Sequence, residues 1–194
     1  MSNKLLISFS GAQSTGKTTL LNHLKERNDH VNFVSEVTRL IKREYGVDIN
    51  EAGSEMTQSL IITEHFKNIN NHKQKFRSTI LDRCILDGLV YTEWLCRNMD
   101  LACWTQNYAF CVFENYITSY DVIFYTDASD VKIEDDGERS TDVKFRNNIV
   151  TGFGDWITNY PKLRERVVIL RGTVEERLQT IKETLKEKGL DINI

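Results

Sequence analysis

One short stretch contains the residue types that bind phosphate: residues 11–18 have the sequence GAQSTGKT and fit the pattern G-x-x-x-x-G-K-[ST]. In this pattern Gly11 and Gly16 let the backbone turn tightly and bring its N–H groups near phosphate oxygens. We expect Lys17 to contact the β- and γ-phosphates of a nucleotide and the Thr18 hydroxyl to bind Mg²⁺. The predicted nucleotide-binding residues are Gly11, Gln13, Ser14, Thr15, Gly16, Lys17, Thr18 and Thr19.

Two carboxylates follow apolar runs that are typical of strands. Glu36 comes after residues 31–35 (VNFVS), and Asp82 comes after residues 78–81 (STIL). Because open α/β sheets bind ligands beyond the carboxyl ends of their strands, we expect both carboxylates near the phosphate-binding loop. Asp82 is then a candidate Mg²⁺ ligand, and Glu36 is a candidate base for an attacking hydroxyl. The alternatives are a strand-end salt bridge for Asp82 and a surface acid at a helix start for Glu36.

Further side chains that follow these two carboxylates are candidates for binding an acceptor molecule. Arg39 and Arg83 carry positive charge suited to a phosphate or a carboxylate. Asp87 has a simpler interpretation as a helix N-cap, and Tyr91, one turn later, could equally belong to the core. The predicted substrate-binding set is Glu36, Arg39, Arg83, Asp87 and Tyr91.

Two later segments are predicted to complete the nucleotide site. Residues 127–146 are polar and contain Arg139, and we expect them to form a lid that excludes water and brings positive charge to the phosphates. The alternative is a solvated loop followed by an ordinary helix. Gly172 and Thr173 follow the last apolar run, at a turn whose backbone could hold an adenine ring.

Five apolar runs alternate with helical patterns, and these elements must position the candidate residues. Residues 5–9 (LLISF) precede the glycine loop, and leucines 20, 21 and 24 repeat at helical spacing after it. This strand–loop–helix order favours nucleotide binding over an ordinary glycine-rich turn. The pattern predicts a three-layer α/β fold in one domain, residues 1–194, with a parallel five-stranded sheet and helices on both faces. The remaining runs are residues 31–35, 78–82, 122–126 and 167–170.

The composition is that of an ordinary globular protein. Its 194 residues suit one domain, and a net charge of −3 provides no general attraction to nucleic acid, which is the less favoured partner. We find no bilayer-spanning run or signal-peptide pattern, and therefore expect a cytoplasmic protein with no membrane partner. The four cysteines lack C-x-x-C spacing and are predicted to be reduced and mostly buried, while His65 and His72 are predicted to be surface or packing residues.

Taken together, these residues resemble the P-loop kinases of nucleosides and nucleotides. The resemblance is to the branch that contains nicotinamide riboside kinase, thymidylate-kinase-like proteins and related phage-encoded AAA-type ATPases. It covers nearly the whole chain and implies ATP- and Mg²⁺-dependent phosphate transfer to a small acceptor. The segments that carry it are residues 11–18, Glu36 with Arg39, Asp82 and Arg83 with Asp87, residues 136–140 (DGERS), and Gly172 with Glu176 and Arg177.

The resemblance also implies roles for individual residues. Lys17 would contact the phosphates, Thr18 and Asp82 would hold Mg²⁺, and Arg139 would act from the lid. By resemblance to deoxynucleoside kinases, Glu36 would take the proton of the acceptor hydroxyl, and Arg83 would contact phosphates or Glu36. Kinases of this fold are often dimers, so a homodimer is one expectation.

The acceptor itself is left open by the sequence. Thymidylate kinases usually carry an R-E-P pattern in the second strand, and residues 34–37 (VSEV) lack it, which moves the expectation from a monophosphate toward a nucleoside or nicotinamide riboside. A deoxynucleoside monophosphate kinase is the first alternative. A kinase of hydroxymethyl bases in DNA and an ATP-binding regulatory switch without kinase activity are the others.

Overall fold

The protein is built on a parallel five-stranded sheet, seen in a computed structural model that describes residues 4–127 and 143–194. The strand order is β2-β3-β1-β4-β5, which places the strand before the glycine loop at the centre. Every neighbouring pair of strands is parallel, as predicted. The strands are β1 (Leu6–Ser10), β2 (Asn32–Val34), β3 (Thr79–Asp82), β4 (Val122–Thr126) and β5 (Val167–Leu170).

Helices cover both faces of this sheet, which confirms the predicted three-layer architecture. Their order along the chain follows the strands, with one or more helices after each of them. The α-helices of the described residues are α1 (Lys17–Arg27), α2 (Val37–Tyr45), α3 (Glu55–Lys73), α4 (Ile85–Asn98), α5 (Cys103–Tyr116), α6 (Val143–Asn159), α7 (Pro161–Arg164) and α8 (Val174–Glu187).

Strand β1 is buried along its whole length because its alternate residues face two different helix layers. Leu6 packs in a core cluster with residues of α3, α4, α5 and α6. Ile7 and Phe9 point the other way, into a cluster with α1 and α8. A strand buried on both faces has a nearly continuous apolar sequence, which explains the run seen at residues 5–9.

Several details differ from the sequence predictions. β1 begins at Leu6 and ends at Ser10, one residue later than the apolar run. Only Cys84 is fully buried, whereas Cys103 and Cys111 are exposed, because α5 turns them away from the core; the prediction of mostly buried thiols was wrong. His65 and His72 are both buried on α3.

The segment predicted as a lid lies largely outside the described residues. Residues 128–142 belong to that part, including Arg139. The last four residues of the predicted segment form the first turn of α6, which begins at Val143. Across the described residues, no helix combines the length and apolar character needed to cross a bilayer.

The parallel arrangement brings the carboxyl ends of the strands to one edge of the sheet. Phe9 pairs with Asp82, and Val34 pairs with Leu81, so the ends of β1, β2 and β3 lie side by side. The central position of β1 places its loop between the ends of β3 and β4, the region where open α/β sheets bind ligands.

Candidate nucleotide and acceptor site

The glycine loop after β1 has the strained backbone that its sequence requires. Gly11 and Gly16 adopt φ angles of +134° and +84°, which residues with a Cβ rarely adopt. Gly16 is the N-cap of α1, so the helix points its N-terminus at the loop. Thr15 holds the loop in place: its hydroxyl lies 3.0 Å from the Ala12 carbonyl oxygen and 2.6 Å from the Thr126 hydroxyl at the end of β4.

The ammonium group of Lys17 lies inside this loop. Its Nζ donates to the carbonyl oxygens of Gly11, at 2.8 Å, and Ala12, at 2.6 Å. Burial, together with the positive charge of Arg83, lowers the pKa of Lys17 to about 7. A phosphate anion in the loop would supply the negative charge that this buried ammonium needs.

Gly11 lies so close to Thr126, at the end of β4, that we expect a side chain at this position to disturb the loop. A Cβ at this position would lie 2.8 Å from both the carbonyl oxygen and the hydroxyl oxygen of Thr126. We expect Gly11→Ala to lower the free energy of unfolding by about 1–3 kcal/mol, because backbone strain and overlap add together. ATP binding measured by calorimetry should weaken by at least about tenfold, or roughly 1.4 kcal/mol, because the loop must move.

A matched control is available on α6. Apart from the adjacent backbone of α6, no atom of the described residues would lie within 4 Å of a Cβ at Gly154, so alanine fits there. Gly154→Ala should leave ATP binding unchanged and raise the stability by up to about 1 kcal/mol through helix propensity. An unchanged ATP affinity in Gly11→Ala would contradict the prediction.

Thr18 and Asp82, the two predicted Mg²⁺ ligands, line one cavity of about 210 Å³ beside the loop. Burial raises the pKa of Asp82 to about 6, and the nearby negative charge of Glu36 adds to the effect. A divalent cation beside Asp82 would offset both the burial of its charge and the repulsion from Glu36. The described residues contain no cluster of three or more metal-ligating side chains, and Mg²⁺ usually takes only one or two protein ligands with the rest from water and phosphates. These residues therefore fit Mg²⁺ bound together with a nucleotide.

Arg83 is the central cation of the site. It follows β3 with a φ of +73°, a left-handed conformation that turns its buried side chain back across the sheet edge. Its Nε donates to Glu36 Oε1 at 2.7 Å, and its Nη1 donates to Asp87 Oδ1 at 3.0 Å. The Tyr91 ring lies 5.4 Å from the guanidinium carbon. Although burial lowers it, the pKa of Arg83 is held well above its usual value by Tyr91 and the two carboxylates.

Asp87 ties this cation to the glycine loop. Its carboxylate accepts from the Ser10 hydroxyl at 2.7 Å and from the Gly11 N–H at 3.4 Å. It also accepts from the backbone N–H of Cys84, the N-cap of α4. Asp87 is therefore the third residue of the helix and not its N-cap. Its observed partners belong to the protein, and its predicted contact with substrate stays a prediction.

Glu36 lies at the N-cap of α2, where two arginines hold its carboxylate. One oxygen accepts from Arg83, and the other accepts from Arg39 Nε at 3.0 Å. Burial raises the pKa of Glu36, but the charge and hydrogen bond of Arg83 outweigh it, with help from Lys17 and Arg39, and the pKa is about 2. The group is thus a carboxylate at any physiological pH.

A cleft of about 780 Å³ opens next to Glu36, and we call it the acceptor cleft. Tyr91 reaches its wall by donating from its hydroxyl to Gln13 Oε1 at 3.0 Å. Glu36 and Arg39 line both the acceptor cleft and the cavity that contains Thr18 and Asp82. The acceptor cleft is lined by Gln13, Val34, Ser35, Glu36, Thr38, Arg39, Leu40, Lys42, Arg43, Ile49, Asn50 and Arg83.

The loop after β5 is linked to the glycine loop by Arg177, a residue that the sequence marked only through the family resemblance. Arg177 Nε donates to the Gly172 carbonyl at 2.9 Å, and its Nη1 donates to the Thr15 carbonyl at 3.0 Å. Gly172 has a φ of +83°, and Thr173 is the N-cap of α8. The two segments predicted to hold the nucleotide are thus adjacent.

A second arginine reaches the loop from α6. Arg146 Nη2 donates to the Ser14 carbonyl at 3.4 Å, and its side chain is buried. In the sequence, Arg146 is the last residue of the segment predicted to form a lid, and no local motif pointed to this contact. Thr19, by contrast, is exposed on α1.

Solved structures that are similar to this chain include two of NadR protein. A crystal structure of NadR protein in complex with NR has a TM-score of 0.75 and 19% sequence identity, covering 98% of this chain and 53% of that one. A crystal structure of NadR protein in complex with NAD and AMP-PNP has a TM-score of 0.73 and 17% identity, covering 98% and 51%. The chain therefore spans about half the length of these proteins. At such identities the likeness shows a shared fold.

Comparison with curated proteins gave no match. The family comparison did: a family described as an AAA domain matches residues 6–177, which is most of the chain and includes the glycine loop and every strand. Together with the fold and the phosphate-binding loop, this match confirms the predicted resemblance to P-loop kinases and ATPases. The chain belongs to this AAA domain family of P-loop NTPases.

Proposed function

We propose that the protein is a kinase that uses ATP and Mg²⁺ to phosphorylate a hydroxyl group of a small nucleoside-type acceptor. The observation that carries the proposal is the position of Glu36. Its carboxylate borders both the acceptor cleft and the cavity of the predicted Mg²⁺ ligands. An acceptor in the cleft would thus present its hydroxyl at the edge of the phosphate site.

A protein catalyses phosphate transfer mainly by positioning the two reactants and by stabilising the negative charge of the transferred group. Lys17 would leave its two loop carbonyls and bind the β- and γ-phosphates. Thr18 and Asp82 would hold Mg²⁺, which would neutralise charge on the phosphates as the bond to the leaving group breaks. Gly172 and Thr173 would contact the adenine, and Arg139 would add positive charge at the γ-phosphate.

The low pKa of Glu36 fits a loose transition state. In such a reaction the acceptor hydroxyl keeps its proton until its bond to phosphorus begins to form, and it then becomes strongly acidic. A weak base is sufficient to accept that proton late in the reaction. Before that step, the two arginines fix the orientation of the carboxylate. We therefore propose that Glu36 orients the acceptor hydroxyl and takes its proton.

The two similar structures support the choice of ligands. NadR protein was solved in complex with NR in one of them and in complex with NAD and AMP-PNP in the other. A cleft of about 780 Å³ is within the range of sites for small organic ligands. A nucleoside or nicotinamide riboside is the acceptor that we favour.

One observation favours a second candidate, a nucleoside monophosphate acceptor. The acceptor cleft is lined by four cationic side chains, Lys42 and arginines 39, 43 and 83, against one carboxylate, Glu36. Arg83 and Arg39 are paired with that carboxylate, which leaves Lys42 and Arg43 as the cations suited to an acceptor phosphate.

The decisive experiment is transfer of label from γ-labelled ATP with Mg²⁺ to a panel of acceptors. The panel should contain nucleosides, nicotinamide riboside, nucleoside monophosphates and DNA with hydroxymethylated bases. Labelled nucleoside or riboside is the expected product. Label on monophosphates or on DNA would show that the acceptor belongs to one of those classes instead. Release of free phosphate alone would indicate a regulatory ATPase and would overturn the proposal.

The variant Glu36→Gln tests the role of the carboxylate. Glutamine has nearly the same shape but offers a poor proton acceptor, so we expect kcat to fall by about 10²- to 10⁴-fold. The affinity for ATP should change little, because the observed hydrogen-bond partners of the Glu36 carboxylate are Arg83 and Arg39. Single-turnover transfer to the best acceptor measures the effect. Unchanged kcat in a folded Glu36→Gln protein would exclude Glu36 as the base.

A further inference from the structure

A small cavity lies behind the acceptor cleft, and we call it the inner pocket. It shares Thr38, Asn50 and Arg83 with the cleft, so the two spaces adjoin. Its volume is about 20 Å³, room for one water molecule or one carbonyl oxygen but not for a ring. Its other walls are formed by residues of α3 and α4, namely Gln58, Ile61, His65, Asp87, Gly88 and Tyr91. A ring in the cleft could therefore send only a small substituent into the inner pocket.

His65 has unused hydrogen-bonding capacity at this pocket. Its side chain is buried, with 1% of the residue exposed, and neither ring nitrogen has a hydrogen-bond partner among the described residues. The pKa of His65 is lowered to about 4, mainly by burial. The negative charge of Asp87 opposes this shift, and the positive charge of Arg83 adds to it. The neutral imidazole thus has one donor and one acceptor without a partner among the described protein groups, and leaving them unpaired costs free energy relative to an apolar residue. Packing alone does not explain a histidine here.

Gln13 shows the same feature at the edge of the acceptor cleft. Its Oε1 accepts from the Tyr91 hydroxyl, which orients the amide. Its Nε2 is buried and has no partner within residues 4–127 and 143–194. Tyr91 therefore lies between two unsatisfied polar groups, one in the cleft and one in the inner pocket.

We propose that His65 determines acceptor specificity by binding an uncharged amide-type group of the acceptor ring, with Gln13 as a second donor. The inference rests on the proposed kinase function and extends it to the ring of the acceptor. The neutral imidazole matches a group that presents a carbonyl oxygen or an N–H, such as the carboxamide of nicotinamide or the amide edge of a pyrimidine. The cationic side chains at the mouth of the cleft would serve the sugar or a phosphate instead.

The test compares His65→Leu with the wild-type protein on two acceptors. One is the best acceptor of the panel, and the other is its analogue without the ring carbonyl or carboxamide. For the first, we expect the acceptor KM to rise roughly tenfold in the variant, the loss expected of one hydrogen bond to a buried group. In the wild-type protein, the KM for the analogue should be about tenfold higher than the KM for the acceptor. The change His65→Leu should raise the KM for the analogue little further. KM for ATP should stay unchanged.

A merely structural histidine would behave differently. His72 is a matched control, because it is buried on the same helix but has a partner, the Thr79 hydroxyl, 2.9 Å from its Nδ1. His72→Leu should lower the melting temperature and leave the acceptor KM unchanged. His65→Leu should raise the melting temperature of the ligand-free protein, because it removes an unsatisfied buried group.

The outcomes separate this inference from the proposed function. If His65→Leu leaves the acceptor KM unchanged, or raises the KM for both acceptors by the same factor, the inference is overturned and the proposed kinase function still stands. Should the variant fail to fold, the wild-type protein still decides, since equal kcat/KM for the acceptor and its analogue overturns the inference as well. Absence of transfer to any acceptor by the wild type would instead overturn the proposed function.

Discussion

Replacing Lys17 by alanine is expected to lower the rate of phosphate transfer by about 10²- to 10³-fold, the usual effect of removing one charge-stabilising donor. The buried ammonium lies within the loop, where it is bound to two carbonyl oxygens. In our proposal, a nucleotide that enters the loop would replace these with phosphate oxygens. The loop, residues 11–18, contains no other lysine, and the lysine that lines the acceptor cleft, Lys42, comes from α2. Transfer to the best acceptor at saturating ATP measures the loss.

Thermal unfolding with and without ATP and Mg²⁺ provides the second measurement. A ligand that binds only the folded state raises its stability by about 2.7 kcal/mol at a hundredfold excess over Kd. Wild type should show this rise, and Lys17→Ala should show much less of it. Lys186→Ala, an exposed site in the last turn of α8, should behave like wild type. Equal stabilisation by ATP in Lys17→Ala would contradict the placement of the phosphates in this loop.

Replacing Arg83 by leucine should have the largest effect on stability. The guanidinium lies between the buried carboxylate of Asp87 and the partly buried carboxylate of Glu36, and it hydrogen-bonds to both. Leucine would leave them without this cation, which we expect to cost about 3–5 kcal/mol in the free energy of unfolding. Transfer activity should also be lost, because Glu36 loses one of the two arginines that orient it. Chemical denaturation at neutral pH measures the first effect.

Arg97→Leu is the matched control on α4. Arg97 is exposed, and its Nη2 lies 3.8 Å from Glu93 Oε2, so removing it should cost at most about 1 kcal/mol. Arg83→Lys should fall between the two, because an ammonium keeps the charge but cannot donate to both carboxylates in the same geometry. If Arg83→Leu were as stable as Arg97→Leu, the two carboxylates would not depend on Arg83.

The nucleotide half of the site was largely predictable from the sequence. Gly11, Gly16, Lys17 and Thr18 are close in the chain, and their spacing alone specifies a turn that brings backbone N–H groups together before a helix. The apolar runs indicated the five parallel strands. Because parallel strands end at a common edge, the positions of Glu36 and Asp82 after their runs also predicted that they would meet.

Only the tertiary structure decided how the charges pair and where unpaired groups remain. Arg83 contacts Glu36 from a left-handed backbone conformation, which an arginine rarely adopts and which no local pattern indicated. The bond from Arg177 to the Thr15 carbonyl joins residues 162 positions apart. The sequence likewise suggested a packing or surface role for His65. Its unsatisfied imidazole became visible only when α3 and α4 were placed together, because burial and hydrogen-bond partners are properties of the packed chain.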